Sequence, residues 1–167
     1  GRASQAARQL PRGTRMLGHV DADRFPVPGR GPGWTKEYLP YVAAPVVPLA
    51  RLGDYSPDPS TDAAGVCTQR LRTLGVKARL AEPADAGPNS AVLAQFSDNT
   101  VADAVSLMLS RSENNVAEVL YRQVAVARGL EPSWEGARPP AEATLTKLAL
   151  DPAGLRPPAR SRLPSHT

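Results

Sequence analysis

Proline and glycine place the strongest limit on what this chain can fold into. The 167 residues include 18 Pro and 13 Gly, and both residue types interrupt regular helices and strands. Regular apolar spacing therefore persists only over short stretches between turn-rich segments. The sequence predicts an α+β fold made of short strands and a cluster of helices.

The predicted strands are short. Residues 76–81 alternate between apolar and polar side chains, which is typical of a half-buried strand. Residues 90–96 form a second apolar run. Residues 43–52 form a third, but Pro45 and Pro48 confine it to the edge of a sheet or to its ends.

Helices are predicted where apolar residues recur at helical spacing. These stretches are residues 61–75, 100–110, 115–128 and 140–150. Gly75 and Gly129 end the first and the third of them. The apolar stripe of the first helix includes Cys67, which is expected to be a small core residue.

Polar residues before these helices predict how the helices begin. Thr61 or Asp62 can cap the first helix. The next two helices each start with a capping-box pattern, in which a polar residue and an acidic residue three positions later satisfy each other's backbone N–H groups. The two pairs are Thr100 with Asp103 and Asn115 with Glu118.

Composition disfavours several classes of function. The sequence pI is near 9.6, but the arginines are scattered and only 5% of residues are aromatic, so no nucleic-acid stacking platform is expected. The single cysteine excludes an internal disulfide. His19 and His166 lie at opposite ends, so no metal site is expected. No apolar run reaches the ~18 residues of a membrane span, and the N-terminus lacks the apolar core of a signal peptide.

The tripeptide Ser-x-Asn occurs twice, at residues 97–99 and at residues 112–114. The first copy ends a predicted strand and starts a helix, where Ser, Asp and Asn are favoured because they accept hydrogen bonds from free backbone N–H groups. The second copy lies in the link between two predicted helices, where Ser112 and Asn114 can face the same cleft. These two residues are the candidate functional pair, with an ordinary loop role as the alternative.

The second copy lies in the stretch MLSRSENNVAEVLYRQVA. This stretch resembles the second-motif helix pair of the D-alanyl-D-alanine carboxypeptidases of the low-molecular-mass, class C penicillin-binding type. The family pattern is an apolar helix, a basic residue, S-D-N and then A-E-x-L-x-R, and Glu113 replaces its aspartate. The resemblance extends in order over residues 18–155. The matching residues around the motif are Met108, Leu109, Arg111, Ser112, Asn114, Ala117, Glu118, Leu120 and Arg122.

The resemblance implies part of a serine β-lactamase/transpeptidase-like domain, in which the helical cluster carries the S-x-N loop. It also implies a serine-type hydrolase without a cofactor. Its substrate is a peptidoglycan stem peptide ending in D-Ala-D-Ala, its inhibitors are β-lactams, and its place is outside the cytoplasmic membrane. Ser112 is then a proton-relay hydroxyl, and Asn114 is the amide that binds the substrate.

Two of the three motifs of such enzymes are missing from these residues. No serine begins S-x-x-K, so the nucleophile is not assigned, and no lysine begins K-T-G. The nearest string, residues 144–147, starts with threonine on an apolar helical stripe and is expected to be structural. Removing members of a catalytic set is strongly non-additive. We therefore expect the chain alone to be an inactive fragment, from a truncated or frame-shifted reading that departs from the family pattern after Leu155.

The predicted organisation has three parts. Residues 1–33 form an irregular segment, residues 34–155 a partial carboxypeptidase domain, and residues 156–167 an irregular basic tail. The helical stripes over 100–110 and 115–128 are expected to be partly exposed, which predicts marginal stability. Two alternatives stay open: a non-catalytic helical interaction module with exposed apolar patches, and a basic fragment that binds nucleic acid in a salt-dependent way.

Overall fold

The computed structural model describes residues 2–21, 24–25, 31–32, 34–38, 42–95, 97 and 99–155. Within these ranges the chain combines a small sheet with a larger set of helices, which confirms the α+β class. Short 3-10 turns lie at Lys36–Tyr38 and Pro152–Leu155. The main elements are α1 (Arg2–Arg8), β1 (Arg15–Gly18), α2 (Pro59–Thr73), β2 (Lys77–Leu80), α3 (Val101–Arg111), α4 (Asn114–Val126) and α5 (Trp134–Lys147).

The sheet consists of β1 and β2, which run parallel with Met16 opposite Ala78. Helix α2 packs on β2, and α1 packs on α2. The core of this part is small and aliphatic, and Met16 packs against it from β1. Its buried residues are Ala3, Leu71, Val76 and Ala78. Because side chains alternate across a strand, only one face of each strand reaches this core.

The helical part is built on α4. Helix α5 packs along α4, and each of the two helices carries a fully buried alanine, Ala125 and Ala137. Small side chains at these positions allow the two backbones to approach closely. Helix α3 also contacts α4 but buries none of its own residues. In the predicted stripe of α3, Val101 and Val105 are 71% and 36% exposed, while Ala104 and Met108 are half-buried, which confirms that this stripe is partly exposed.

Several helix ends form as predicted. Thr100 caps α3, since its hydroxyl accepts a hydrogen bond from the Asp103 N–H at 3.1 Å, and the Asp103 carboxylate accepts one from the Thr100 N–H at 2.9 Å. This pair is a complete capping box. Gly75 and Gly129 follow α2 and α4 with φ angles of 88° and 67°. Such left-handed positions favour glycine, which has no Cβ.

Two of the predicted strands are wrong. Residues 43–52 contain only an isolated bridge at Val46, because Pro45 and Pro48 lack the N–H groups that a ladder requires. Residues 90–95 form no strand either, and Val92 is 75% exposed, so this run has no sheet to join. Phe96 lies outside the described residues. The strand predicted over 76–81 is confirmed as β2.

The expectation of an irregular segment over residues 1–33 is wrong for α1 and β1, which the few apolar residues there did not reveal. The predicted tail 156–167 lies outside the described residues. Helix α5 begins at Trp134 rather than at residue 140, with the Ser133 hydroxyl accepting a hydrogen bond from the Gly136 N–H at 3.0 Å. Pro139 and Pro140 are therefore inside the helix, where their missing N–H groups leave two carbonyls without helical partners.

Two local assignments in α2 and one in α4 are also corrected. Asp58 caps α2, in place of Thr61 or Asp62, because Pro59 starts the helix one turn earlier. Cys67 is exposed rather than in the core, since α2 buries a face that contains Leu71. Helix α4 has no side-chain cap, so Asn115 and Glu118 form no capping box. Both residues bind other segments instead.

Candidate functional site

Ser112 ends α3 in a left-handed backbone conformation, with φ 55° and ψ 46°. The Glu113 N–H donates to the Met108 carbonyl at 3.1 Å, which is the bond that closes a helix when the preceding residue is left-handed. Glycine usually occupies this position because a Cβ clashes with the backbone there. In the described residues, Ser112 and Ala149 are the non-glycine residues with positive φ.

The Ser112 side chain is exposed. Within the described ranges its hydroxyl makes no hydrogen bond, whereas the hydroxyl of Thr100 at the other end of α3 is used in a cap. Ser97, the serine of the other S-x-N copy, is also exposed and lies three residues before that cap. Asp98 lies outside the described residues. Neither serine is needed to hold a helix end through its side chain.

Asn114 is the first residue of α4 and is half-buried. Its side-chain N–H donates to the backbone carbonyl of Val42 at 3.0 Å. A carboxamide has two N–H donors and one carbonyl acceptor, so this bond uses only part of its capacity. The Asn114 carbonyl oxygen has no hydrogen-bond partner among the residues that the structure describes.

Glu113 and Asn115 attach the loop to the facing segment, residues 42–55. The Tyr55 hydroxyl donates to the Glu113 carboxylate at 3.3 Å, and the backbone N–H of Ala44 donates to the Asn115 side-chain carbonyl at 2.9 Å. Burial raises the pKa of Tyr55, and the nearby negative charge of Glu113 raises that pKa further. The loop is therefore held at successive residues from one side of the helix pair.

Glu113 and Asn115 also line a groove of about 300 Å³ between α4 and residues 44–54. Its walls are mostly aliphatic, with Val46, Val116 and Leu120 among them. Ser112 and Asn114 are not part of this lining. The groove next to the loop is therefore lined by Glu113 and Asn115, and a cleft shared by Ser112 and Asn114 stays a prediction.

The acidic residue of the A-E-x-L-x-R pattern anchors α4. Glu118 is 5% exposed and accepts hydrogen bonds from the indole N–H groups of Trp34 and Trp134, each at 2.7 Å. The ring of Trp134 also stacks on Tyr121, with the ring centres 4.2 Å apart. The backbone of Gly31 approaches so closely that a Cβ there would collide with Glu118 and Trp134.

The basic residue of the same pattern is buried one turn later. Arg122 is 4% exposed, and its guanidinium carbon lies 5.6 Å from the centre of the Phe25 ring. Burial lowers the pKa of Arg122, while the negative charges of Glu118 and Glu135 act in the opposite direction. Sequence reasoning missed this network. The sequence signal for it was an acidic and a basic residue four positions apart, which places both on one face of the predicted helix.

The described ranges contain no group of three metal-ligating side chains and no helix that is long and apolar enough to cross a membrane. At the loop, Ser112 offers a hydroxyl and Asn114 a carboxamide. A hydroxyl can move a proton when it lies within hydrogen-bond reach of the reacting atom. A carboxamide can both donate to and accept from a peptide group.

Comparison with protein families gives a match over most of the helices described above. The model of the D-Ala-D-Ala carboxypeptidase 3 (S13) family matches residues 48–156, which include the S-x-N loop and all of α2 to α5. Neither a curated protein nor a solved structure matches the chain. The match covers more than half of the 167 residues.

Proposed function

Because the chain belongs to the D-Ala-D-Ala carboxypeptidase 3 (S13) family, we propose that it contributes the S-x-N motif of a serine-type carboxypeptidase of the class C penicillin-binding type. Members of this family are peptidases of the cell wall and are generally associated with the cell envelope. Beyond family membership, we propose that the reaction is of the serine type, that the fold is part of a β-lactamase-like domain, and that Ser112 and Asn114 act in the site.

The observation that carries the proposal is the left-handed backbone at Ser112. Strained residues persist where surrounding structure holds them, and they cluster at functional sites. Glycine would satisfy this helix end at lower cost, and the Ser112 hydroxyl stabilises no other group in the described chain. A serine at this position is therefore better explained by chemistry than by folding. No similar argument applies to Ser97.

The proposed reaction removes the last D-alanine of a stem peptide. A serine of an S-x-x-K element attacks the carbonyl carbon of the penultimate D-alanine, and the C–N bond to the terminal D-alanine breaks. Ser112 passes the serine's proton to the departing amine, and the Asn114 amide binds the substrate peptide group. Water then hydrolyses the acyl-enzyme, which regenerates the serine. A β-lactam acylates the same serine but keeps its leaving amine attached.

The 167 residues contain neither S-x-x-K nor K-T-G. We therefore expect the chain by itself to form no acyl-enzyme with a fluorescent penicillin. The first test is to translate the DNA on both sides of the reading frame in all frames. S-x-x-K upstream and K-T-G downstream support the proposal, and their absence from every frame contradicts it.

The second test uses the protein that contains all three motifs. Ser112→Ala should slow acylation by a fluorescent penicillin by about 10²- to 10⁴-fold, the usual contribution of positioned proton transfer. Ser97→Ala is the matched control, because it removes the hydroxyl of the other S-x-N copy and should leave the rate unchanged. Equal rates for the two variants would show that Ser112 is an ordinary loop residue.

A non-catalytic interaction module is the second candidate. The apolar stripe on α3, where Val101, Val105 and Leu109 are 71%, 36% and 73% exposed, favours it. Exposed apolar surface of this kind often marks a binding site. If this candidate is correct, a variant with Val101→Ser and Leu109→Ser will lose affinity for an isolated partner, while Ser112→Ala will not.

A further inference from the structure

The sheet has one face that no described element covers. Met16 and Ala78 point to the core with α1 and α2, so the alternate side chains point the other way. These alternate residues form what we name the open sheet face: Arg15, Leu17, Lys77 and Arg79. All four are exposed, and Leu17 is 60% exposed. The same four residues, with Met16, line a surface depression of about 630 Å³.

The charges on this face all have the same sign. Arg15 lies directly opposite Lys77, and Leu17 lies opposite Arg79. Like charges at directly opposed positions of a sheet repel and destabilise it. The ion pair found in the described residues joins Arg138 and Glu142 on α5, so no carboxylate pairs with the three cations of the open sheet face. The sheet thus holds three positive charges together, and no carboxylate among the described residues forms an ion pair with them.

The two faces of the sheet differ in what covers them. Parallel sheets are normally covered on both faces, and here helices cover one face, while among the described residues the other face presents three cations and Leu17 to solvent. Strand addition at the β2 edge is hindered, because Arg72 donates to the outward carbonyl of Ala78 at 2.7 Å. In the described part of the chain, the open sheet face is therefore more available to a partner than the β2 edge.

We propose that the open sheet face binds an anionic phospholipid surface. Neighbouring strands lie about 4.8 Å apart and alternate residues along a strand about 6.6 Å apart, so the three cations contact a layer of closely spaced phosphates better than one ion. Leu17 lies on the same face, opposite Arg79 and next to Arg15 along β1, where the boundary between headgroups and acyl chains offers it apolar contact and water does not. The face carries no aromatic side chain that could stack on a nucleobase.

The expected strength follows from the number of cations. Each Lys or Arg close to an anionic membrane improves binding by roughly fivefold, so three together improve it by roughly a hundredfold over neutral vesicles. This attraction extends only about 8 Å at physiological ionic strength and about 3 Å in 1 M salt. Binding should be reversible and should disappear in high salt.

The test is sedimentation of the folded chain with vesicles. Binding is expected to vesicles that mix phosphatidylglycerol and phosphatidylcholine in equal parts, and not to phosphatidylcholine alone. The triple variant Arg15→Gln, Lys77→Gln and Arg79→Gln should bind roughly a hundredfold more weakly. Leu17→Ser should weaken binding severalfold without changing its salt dependence.

The matched control removes the same net charge elsewhere. Its changes are Arg70→Gln, Arg128→Gln and Lys147→Gln, at exposed positions on or next to helices. This control should bind vesicles almost as well as the unchanged chain, and equal losses in the two triple variants would overturn the proposal in favour of net charge. Displacement from vesicles by inorganic phosphate, beyond that caused by chloride at the same ionic strength, would also overturn it in favour of a small-anion site. Tighter binding to a single-stranded oligonucleotide would do so in favour of nucleic acid.

Discussion

Replacing Ser112 with glycine should stabilise the fold and remove the proposed function at the same time. A left-handed conformation costs a non-glycine residue about 1–2 kcal/mol, and Ser112 has φ 55°. Glycine avoids this cost but loses about 0.5–1 kcal/mol more backbone entropy on folding than alanine does. Ser112→Gly should therefore raise the free energy of unfolding by about 0.5–1 kcal/mol.

The assay is equilibrium unfolding in urea, followed by tryptophan fluorescence. Both tryptophans, Trp34 and Trp134, bind the buried Glu118 and therefore report on the helical part of the fold. In a thermal scan followed by the same fluorescence, a gain of this size in unfolding free energy raises the melting temperature by about 1–4 °C for a chain of this length. Ser112→Ala keeps the left-handed cost and loses only an exposed hydroxyl, so its stability should change by less than about 0.5 kcal/mol.

Two matched variants separate backbone strain from a general effect of glycine. Ala149→Gly replaces the other non-glycine residue with positive φ and should also stabilise the fold. Ser110→Gly lies within α3 and should destabilise it by about 0.5 kcal/mol, since glycine is a poorer helix former than serine. If Ser112→Gly lowers stability as Ser110→Gly does, the strain argument for Ser112 is refuted. In the protein with all three motifs, Ser112→Gly should slow acylation by about 10²- to 10⁴-fold, as Ser112→Ala does, despite its greater stability.

Three further predictions test the contacts that hold the loop and α4. Glu118→Gln should cost about 1–3 kcal/mol in the same urea assay, because the new amide donor faces an indole N–H and leaves a buried donor unsatisfied; an unchanged midpoint would contradict the network. Gly31→Ala should cost about 1–3 kcal/mol through collision with Glu118 and Trp134, whereas Gly65→Ala in α2, where an added Cβ meets nothing within 4 Å, should not destabilise the fold. The pKa of Tyr55 is raised in the folded protein, so the folded protein holds the phenol proton more tightly than the unfolded chain does. The protonated Tyr55 therefore stabilises the fold below pH 10, and this stabilisation is lost as the pH rises further. Glu113→Gln removes a negative charge and should lower that pKa, which ultraviolet absorbance of tyrosinate measures against Tyr55→Phe.

The parts of the fold that sequence predicted are those decided by local chemistry. The capping box at Thr100 and Asp103, the glycine after α2 and the alternation in β2 all depend on residues within a few positions of one another. Helix α3 was recognised for the same reason, even though none of its residues is buried.

The parts that sequence mispredicted depend on distant partners. Asn115 matched a capping-box pattern, but its side chain binds the backbone of Ala44, 71 positions away. Glu118 matched the same pattern and instead accepts from Trp34, 84 positions away. The apolar run at 90–95 had strand composition but no neighbouring strand in the described chain to pair with. No local pattern contains this information, because tertiary contacts override propensity.

The residues of the family-like pattern have two different physical roles, and this division bears on the site. Glu118 and Arg122 are buried and contact aromatic side chains, so their presence in the pattern follows from packing alone. Ser112 is exposed, strained and without a side-chain partner in the described part of the chain, so packing gives no reason for it. A family signature mixes both kinds of residue, and only those that packing leaves unexplained are evidence for chemistry. By that criterion Ser112 carries the functional argument, while Asn114, which both binds Val42 and keeps a free carbonyl among the described contacts, belongs partly to each role.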